Sequence, residues 1–452
     1  MNLPESPPPA ATVASTPRVL LLAPFLYGEA SANGGAALCW AQLKELSGVA
    51  TVAFLGFRGA DLDDSDRRAL ASLQAHCAQV DSVPQPIARS AVLRARLGSF
   101  AFGEPELARL CRTPAMETAL RAMLQRFRPD IVWIQFPQMA QYVALCNGVP
   151  CVMDVQDAYS LSGFRQAQRA PGPRNWLNWV AWARYEARHY PRFAAALTLS
   201  EQDAQVLQAL NPATRALSMG LPLADDQVLQ RAHGAAVAGQ VGFAGSFGHQ
   251  PNLEGMAWFL RDIWPRVRER MPQARFVVAG RNPPAALVAQ AGGGSGIEFS
   301  GFVPDIHAFY ASNAVTVVPL VSGGGVKIKT VEAMLAGSAV VSTRIGVEGT
   351  GALDGCHAMV ADEAQAFADH IVRVLSDDAL RARLSEAARQ HAGVAFSASS
   401  WRERVMATVN EAAGGTSAGP LHGPQGGPPG GPCRPALPSG EWPATSPVEG
   451  SS

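Results

Sequence analysis

The 452-residue chain has no uninterrupted apolar run near the roughly eighteen residues that a membrane-spanning helix needs. It has no excess of either charge, with 37 basic and 37 acidic side chains, which excludes a broad basic surface for nucleic acid. Its seven cysteines form no C-x-x-C pair and no Cys/His cluster. Neither a disulfide framework nor a zinc site is therefore indicated, and a reducing cytoplasm fits. What is present is ordinary for a packed chain, 48% hydrophobic and 16% charged.

Both ends depart from that average. Residues 414–452 hold 10 Gly and 9 Pro, and residues 1–16 are polar with Pro4, Pro7, Pro8 and Pro9, so disorder is expected in both. The remainder suits two domains of about 200 residues each. Arg18, the run Val19 to Tyr27 and then Ala30-Ser31-Ala32 imitate a secretory signal. The leader, however, carries Glu5 and no Lys or Arg, and the run holds Pro24, so a buried first strand is the better reading.

From Arg18 onward, short runs of Val, Ile and Leu alternate with helical patterns, which predicts an α/β fold of parallel sheets covered by helices. Strands are expected at 19–22, 50–55, 131–135, 151–155 and 195–199, then at 241–244, 275–279, 298–302, 315–320 and 339–342. Leu253, Met256, Leu260, Ile263 and Val267 recur at helical spacing and predict a helix over 252–271. A second is expected over 330–336. Periodicity is lost at 218–222 and 232–239, where a hinge is placed. The expected domains are 17–230 and 231–396, and a helix over 397–413 around Trp401 is expected to cross back to the first.

The densest chemical signal is Val321-Ser322-Gly323-Gly324-Gly325-Val326-Lys327-Ile328-Lys329-Thr330-Val331-Glu332, between a strand and a helix. Glycines admit positive φ and let amides approach an anion, and the helix aims free N–H groups at the same point. Lys327 and Lys329 add charge enough to offset much of a diphosphate without a metal ion, so none is expected. Glu332 can accept from two vicinal ribose hydroxyls. A flexible glycine loop with solvated lysines is the bland reading of the same segment.

This segment resembles the donor-binding motif of glycosyltransferase family 4, retaining enzymes with two Rossmann-like domains facing across a cleft in the GT-B arrangement. The resemblance continues through Val241-Gly242-Phe243-Ala244-Gly245-Ser246, Phe276 to Gly280, Ser300-Gly301-Phe302-Val303-Pro304-Asp305 and Gly346-Val347-Glu348-Gly349. It implies a nucleotide diphosphate sugar as donor substrate, with no separate cofactor. The donor-binding residues carried over are Ser246, Arg281, Phe302, Val303, Gly323, Gly324, Gly325, Thr330 and Glu332, with the backbone at 302–303 contacting the base. Asn33-Gly34-Gly35 in the first half resembles the glycine pair that opens a helix facing the donor phosphates, which brings in Gly34 and Gly35. The implied acceptor is a glycan, a lipid-linked sugar or a small molecule, in cell-surface or exopolysaccharide synthesis.

The chain departs from the family pattern at several positions. The family's first glutamate falls on Gly324, the Arg and Lys frequent after the first strand of its nucleotide domain are replaced by Ser246 and Pro251 or Asn252, and a frequent histidine falls on Gln156, which can hydrogen-bond a sugar but cannot act as a base. Lys327 and Lys329 would then carry the charge of the departing diphosphate, with Arg281 as a helper. Asp157 would orient the acceptor hydroxyl or Gln156, or else cap the next turn. Lys329, Lys327, Gln156 and Asp157 are the catalytic candidates. A non-catalytic nucleotide-sugar-binding scaffold and a GT-B sugar-nucleotide epimerase are the rival readings.

Asp61-Leu62-Asp63-Asp64-Ser65-Asp66 contains D-x-D but lacks the Gly and Glu of a calcium loop, and reads as a helix cap. Trp176, Trp179, Trp182, Arg184, Arg188 and Arg192, and likewise Arg89, Val92, Leu93, Arg96 and Leu97, mix apolar and basic residues at helical spacing. Either a peripheral contact with the inner membrane face or core-facing apolar residues under a solvated arginine face accounts for them.

Overall fold

The computed structural model describes residues 16–29, 34–85, 89–231, 236–292, 294–412 and 414. Residues 1–15 and 415–452, within the ends expected to be disordered, and Asn33 lie outside the described residues. The first half builds seven strands: β1 (Arg18–Ala23), β2 (Thr51–Arg58), β3 (Gln79–Pro84), β4 (Ile131–Gln135), β5 (Cys151–Asp154), β6 (Ala195–Thr198) and β7 (Ala216–Ser218). The second builds six: β8 (Val237–Ala244), β9 (Arg275–Ala279), β10 (Ile297–Gly301), β11 (Asn313–Val318), β12 (Ala339–Ser342) and β13 (Met359–Val360). They form two sheets, ordered β3-β2-β1-β4-β5-β6-β7 and β10-β9-β8-β11-β12-β13.

Each strand pair is parallel, as continuous apolar strands joined by helical crossovers require. The central strands β1, β4 and β11 are buried almost throughout. In each sheet the strand order reverses once, between β1 and β4 and between β8 and β11. Ligand crevices of open α/β sheets lie outside the carboxyl ends of strands at such switch points. Two sheets of this kind therefore offer two half-sites.

Three strands have no counterpart in the sequence reading, and all three are at sheet edges: β3, β7 and β13. An edge strand is short or half-exposed, so the unbroken apolar signal of a central strand is missing. The helix expected over 252–271 forms as Gln250–Trp258, a wide π-turn Phe259–Ile263 and Trp264–Arg270. Pro265 has no N–H to return to the carbonyl four residues back, and the wide turn absorbs the missing bond. Met256, Leu260, Ile263 and Val267 still form the buried stripe.

Helix Ala398–Ala412 lies on the first sheet, with Trp401, Val405 and Val409 in one apolar cluster with Val19, Leu21 and Trp133. Arg402 Nη2 to Glu45 Oε2 (2.6 Å) and Arg215 Nη2 to Glu411 Oε2 (2.7 Å) fasten it. Residues 223–224 and 396–398, which lie in the connections between the sheets, thus run side by side. Leu223 N and Ala224 N donate to Phe396 O at 3.1 and 2.9 Å, and Ala398 N donates to Ala224 O at 3.1 Å.

Candidate active site

The glycine loop follows β11, at the second sheet's switch point. Gly323 and Gly325 adopt φ of +107° and +66°, which a side chain would strain, so the loop can fold back over the start of helix Ile328–Leu335. Lys327 does not point freely into a ligand space. Its Nζ donates to Gly324 O (2.9 Å) and Gly325 O (2.7 Å) and lies 3.5 Å from Glu348 Oε2. With three donors and three partners, this ammonium clamps its own loop. Burial pulls its pKa down against the pull of Glu348.

Lys329 is the cation set at the turn after β8. Its Nζ donates to Asn252 Oδ1 at 2.6 Å and stands 4.4 Å above the ring of Phe243. Gly245 makes that approach possible, since a Cβ there would meet Lys329 Nζ and Asn252 Nδ2 at 2.8 Å each. Burial lowers the Lys329 pKa to about 7, with Glu332 opposing that shift. Burial likewise raises Glu332 to about 7. Ser246 is exposed at the tip of the same turn, where its carbonyl accepts from Asn252 Nδ2 at 2.7 Å.

Two carried-over residues are engaged elsewhere. Thr330 is fully buried, its hydroxyl donating to Gly346 O (2.6 Å) and its amide to Lys327 O (2.9 Å). It braces the loop after β12, and neither group remains for a ligand. Arg281 lies over the ring of Phe302, 4.3 Å from its centroid, so its charge sits on the aromatic next to Val303. Phe302 itself is exposed.

From the first domain, helix Gly34–Ser47 begins at the expected glycine pair, Gly34 and Gly35. Gln156 follows β5 with φ of +60°, and Asp157 N donates back to Val155 O at 2.6 Å, a γ-turn of the strained, positive-φ kind. Its buried amide Nε2 donates to Asp154 Oδ2 (2.8 Å) and Gln42 Oε1 (3.2 Å). Asp154 also accepts from Trp133 Nε1 (3.3 Å) and Gln135 Nε2 (3.4 Å), and Tyr27 donates to Gln135 Oε1 (2.8 Å). Burial raises Asp154 to about 6. This network holds Gln156 in place, and sequence reasoning did not single out Asp154 or Gln42 as parts of it. Replacing Asp154 by Ala strands three buried N–H donors. The expected cost is about 2–4 kcal/mol, read as a lower urea midpoint.

The two half-sites meet at Asp157 and helix Tyr159–Arg169. A Cβ built at Gly324 would lie 3.7 Å from Asp157 Oδ1 and 3.6 Å from Arg165 Nη1. Arg165 makes a bidentate pair with Glu348, its Nη1 3.1 Å from Oε2 and its Nη2 on Oε1. Arg169 Nη2 donates to Val321 O at 2.7 Å. Burial and Asp203 raise the Asp157 pKa to about 7, against the lowering pull of Ser162, Lys327 and Arg165. Arg165 and Arg169 carried no separate signal, because each acts through a partner far away in the chain. The D-x-D segment is a helix cap, with Asp63 accepting from Asp66 N at 2.7 Å.

Comparison with known proteins agrees with this geometry. Residues 40–219 match the glycosyl transferase 4-like domain, and residues 238–377 the family described as glycosyl transferases group 1. An uncharacterized 44.6 kDa protein of the cps region of Klebsiella pneumoniae is 31% identical over 137 residues, 29% of this chain and 35% of that one. The chain thus spans about a third of the length of that relative. Among solved structures, Anabaena HepE in complex with UDP superposes with a TM-score of 0.60 at 14% identity, covering 87% of this chain and 100% of that one. Sucrose-phosphate synthase from Thermosynechococcus elongatus does so with a TM-score of 0.62 at 15% identity, covering 87% and 98%. The fold is GT-B. The chain thus joins a glycosyl transferase 4-like domain, residues 40–219, to a domain of the glycosyl transferases group 1 family, residues 238–377.

Proposed function

We propose that this is a retaining, metal-independent glycosyltransferase of the family 4 type, which moves a sugar from a nucleotide diphosphate sugar to a glycan, lipid-linked or small-molecule acceptor in cell-surface or exopolysaccharide synthesis. The observation that carries the reading is the half-buried Lys329, held on Asn252 at 2.6 Å beside the glycine loop. HepE has been crystallised with UDP and with UDP-glucose, and the Klebsiella relative lies in a cps region, which supports the donor class and the setting.

In the reaction the bond from the anomeric carbon to the diphosphate oxygen breaks, and one to the acceptor oxygen forms on the same face. The acceptor proton passes to the departing phosphate, so the need is for stabilised negative charge more than for a base. Lys329 and the amides at the start of helix Ile328–Leu335 supply it, Lys327 keeps the loop in shape, and Glu332 grips the ribose. Gly34 and Gly35 close the site from the first domain. Gln156 is positioned toward the sugar, and Asp157 orients the acceptor hydroxyl.

Incubation with a panel of nucleotide sugars tests this. Sugar-dependent release of nucleotide with transfer to an added glycan is expected. Binding without release would indicate a scaffold, and an altered sugar still on its nucleotide an epimerase. The Lys329 pKa adds a second expectation. At about pH 8 free Lys329 is largely neutral, and a bound diphosphate restores its charge, so nucleotide binding takes up about one proton there and almost none at about pH 5.5. Asp157 and Glu332 are mostly ionised at the higher pH and contribute little. Calorimetric titration in two buffers of different ionisation enthalpy reads the uptake directly.

A further inference from the structure

Among the described residues, six of the thirteen exposed large apolar side chains lie between positions 93 and 180 of the first domain. Five are on two helices. Helix Arg89–Phe102 exposes Leu93 (56%) and Leu97 (62%), and helix Pro173–His189 exposes Trp176 (38%), Leu177 (55%) and Val180 (41%). The helices approach one another, since a Cβ at Gly103 would lie 3.8 Å from Arg184 Nη1.

The opposite face of the second helix accounts for its remaining aromatics. Trp182 packs edge-on to Tyr159 (4.6 Å between centroids) and Trp179 against Phe164 (5.3 Å), so that helix is held to helix Tyr159–Arg169, the one that borders the glycine loop. Leu177, Val180, Arg184 and Arg188 are left on the outer side.

Charge on this face has one sign. The first helix carries Arg89, Arg94 and Arg96 and no acid. The second carries Arg174, Arg184 and Arg188, and its one acid, Glu186, is buried and accepts from Tyr159 N (2.8 Å) and Ser160 N (3.2 Å). Arg96 is partnered by Glu106 at 3.4 Å. Arg94, Arg174, Arg184 and Arg188 make no ion pair among the described residues. In a chain of balanced charge, an apolar patch on two helices whose own exposed charges are all arginines, with Glu106 beside Arg96, is an unusual local composition. A soluble acidic partner needs the arginines but not the row of Leu, Val and Trp, whereas an anionic bilayer uses both: headgroups for the guanidinium groups and the interfacial layer for the apolar side chains.

We infer that this two-helix face seats the protein on an anionic lipid bilayer, with Trp176, Leu177, Val180, Leu93 and Leu97 entering the interface and Arg94, Arg174, Arg184 and Arg188 meeting headgroup phosphates. The inference stands independently of which sugar the cleft moves, and it sets helix Tyr159–Arg169, one wall of that cleft, directly behind the seated face.

The test uses the full chain and vesicles, with no nucleotide sugar present. Co-sedimentation with phosphatidylglycerol-containing vesicles at low salt is expected, with much weaker binding to phosphatidylcholine alone. Arg184→Glu with Arg188→Glu should weaken binding at least about tenfold, as should Leu177→Ser with Val180→Ser. Brominated lipid should quench tryptophan emission, and Trp176→Phe should remove most of that quenching. Nucleotide release in solution should be unchanged in these variants, since none of them touches the glycine loop. Failure to bind anionic vesicles at low salt would overturn the inference, as would binding that ignores both double variants. Sedimentation velocity showing the patch buried in a dimer that the serine variants dissolve would overturn it too.

Discussion

Lys329→Ala is expected to lower kcat/KM for sugar transfer by roughly 10²–10³-fold or more while the protein stays folded. On the proposed function the ammonium stands where charge develops as the diphosphate leaves. Neither Asn252 nor the ring of Phe243, its two neighbours, can replace it. Stability should move the other way. A lysine whose folded pKa is lowered to about 7 binds fewer protons than the unfolded chain between that pH and its ordinary value near 10.5. Its burden on folding is therefore full below pH 7 and fades as the pH rises toward 10.5. Lys329→Met should accordingly be as stable as the parent or more so at about pH 6, with the difference shrinking toward about pH 10, in urea melts at the two pH values. Full turnover in the Ala variant would dismiss Lys329 as the stabilising cation. Loss of turnover together with loss of stability would dismiss the idea of a burden carried for function.

Arg165→Ala should lower turnover by roughly 10–100-fold, through position rather than chemistry. Arg165 joins the domains by its bidentate pair with Glu348, which is also the carboxylate beside Lys327. Removing the guanidinium frees one wall of the cleft and leaves Glu348 to Lys327 alone. It also takes away one of the charges that hold down the Asp157 pKa, already raised to about 7. The limb of the pH–rate profile that follows Asp157 should then shift to higher pH. A purely structural role would not move that limb. Arg165→Lys keeps the charge and loses the fork, so it should restore the profile more than the rate. An unshifted profile with unchanged turnover would remove Arg165 from the account.

The architecture was largely readable from the chain because central parallel strands are unbroken apolar runs, as at β1, β4 and β11. Three of the four edge strands, β3, β7 and β13, were not, and Gln79–Pro84 shows why with its partial burial. The glycine loop was also legible, and in retrospect more sharply than its motif implied. Lys44, Lys327 and Lys329 are the only lysines in the chain, and two of the three stand in this loop. A lysine tolerates a lowered pKa where an arginine keeps its charge, so the choice matches the burial found there. The direction of each ammonium, by contrast, depends on the fold. Lys327 turns back because the carbonyls of Gly324 and Gly325 converge on it, and no spacing rule states that. Arg165 and Glu348 are 183 positions apart, and Gln156 and Gln42 are 114 apart, so only the finished cleft pairs them.

The paired crossings between the sheets limit how the cleft can work. Because residues 223–224 and 396–398 are hydrogen-bonded to one another, the two connections form a single pin, not two independent tethers. Any opening of the cleft would then bend both connections together, and a probe pair flanking it, one label near Arg165 and one near Glu348, would read that motion as a change in their separation.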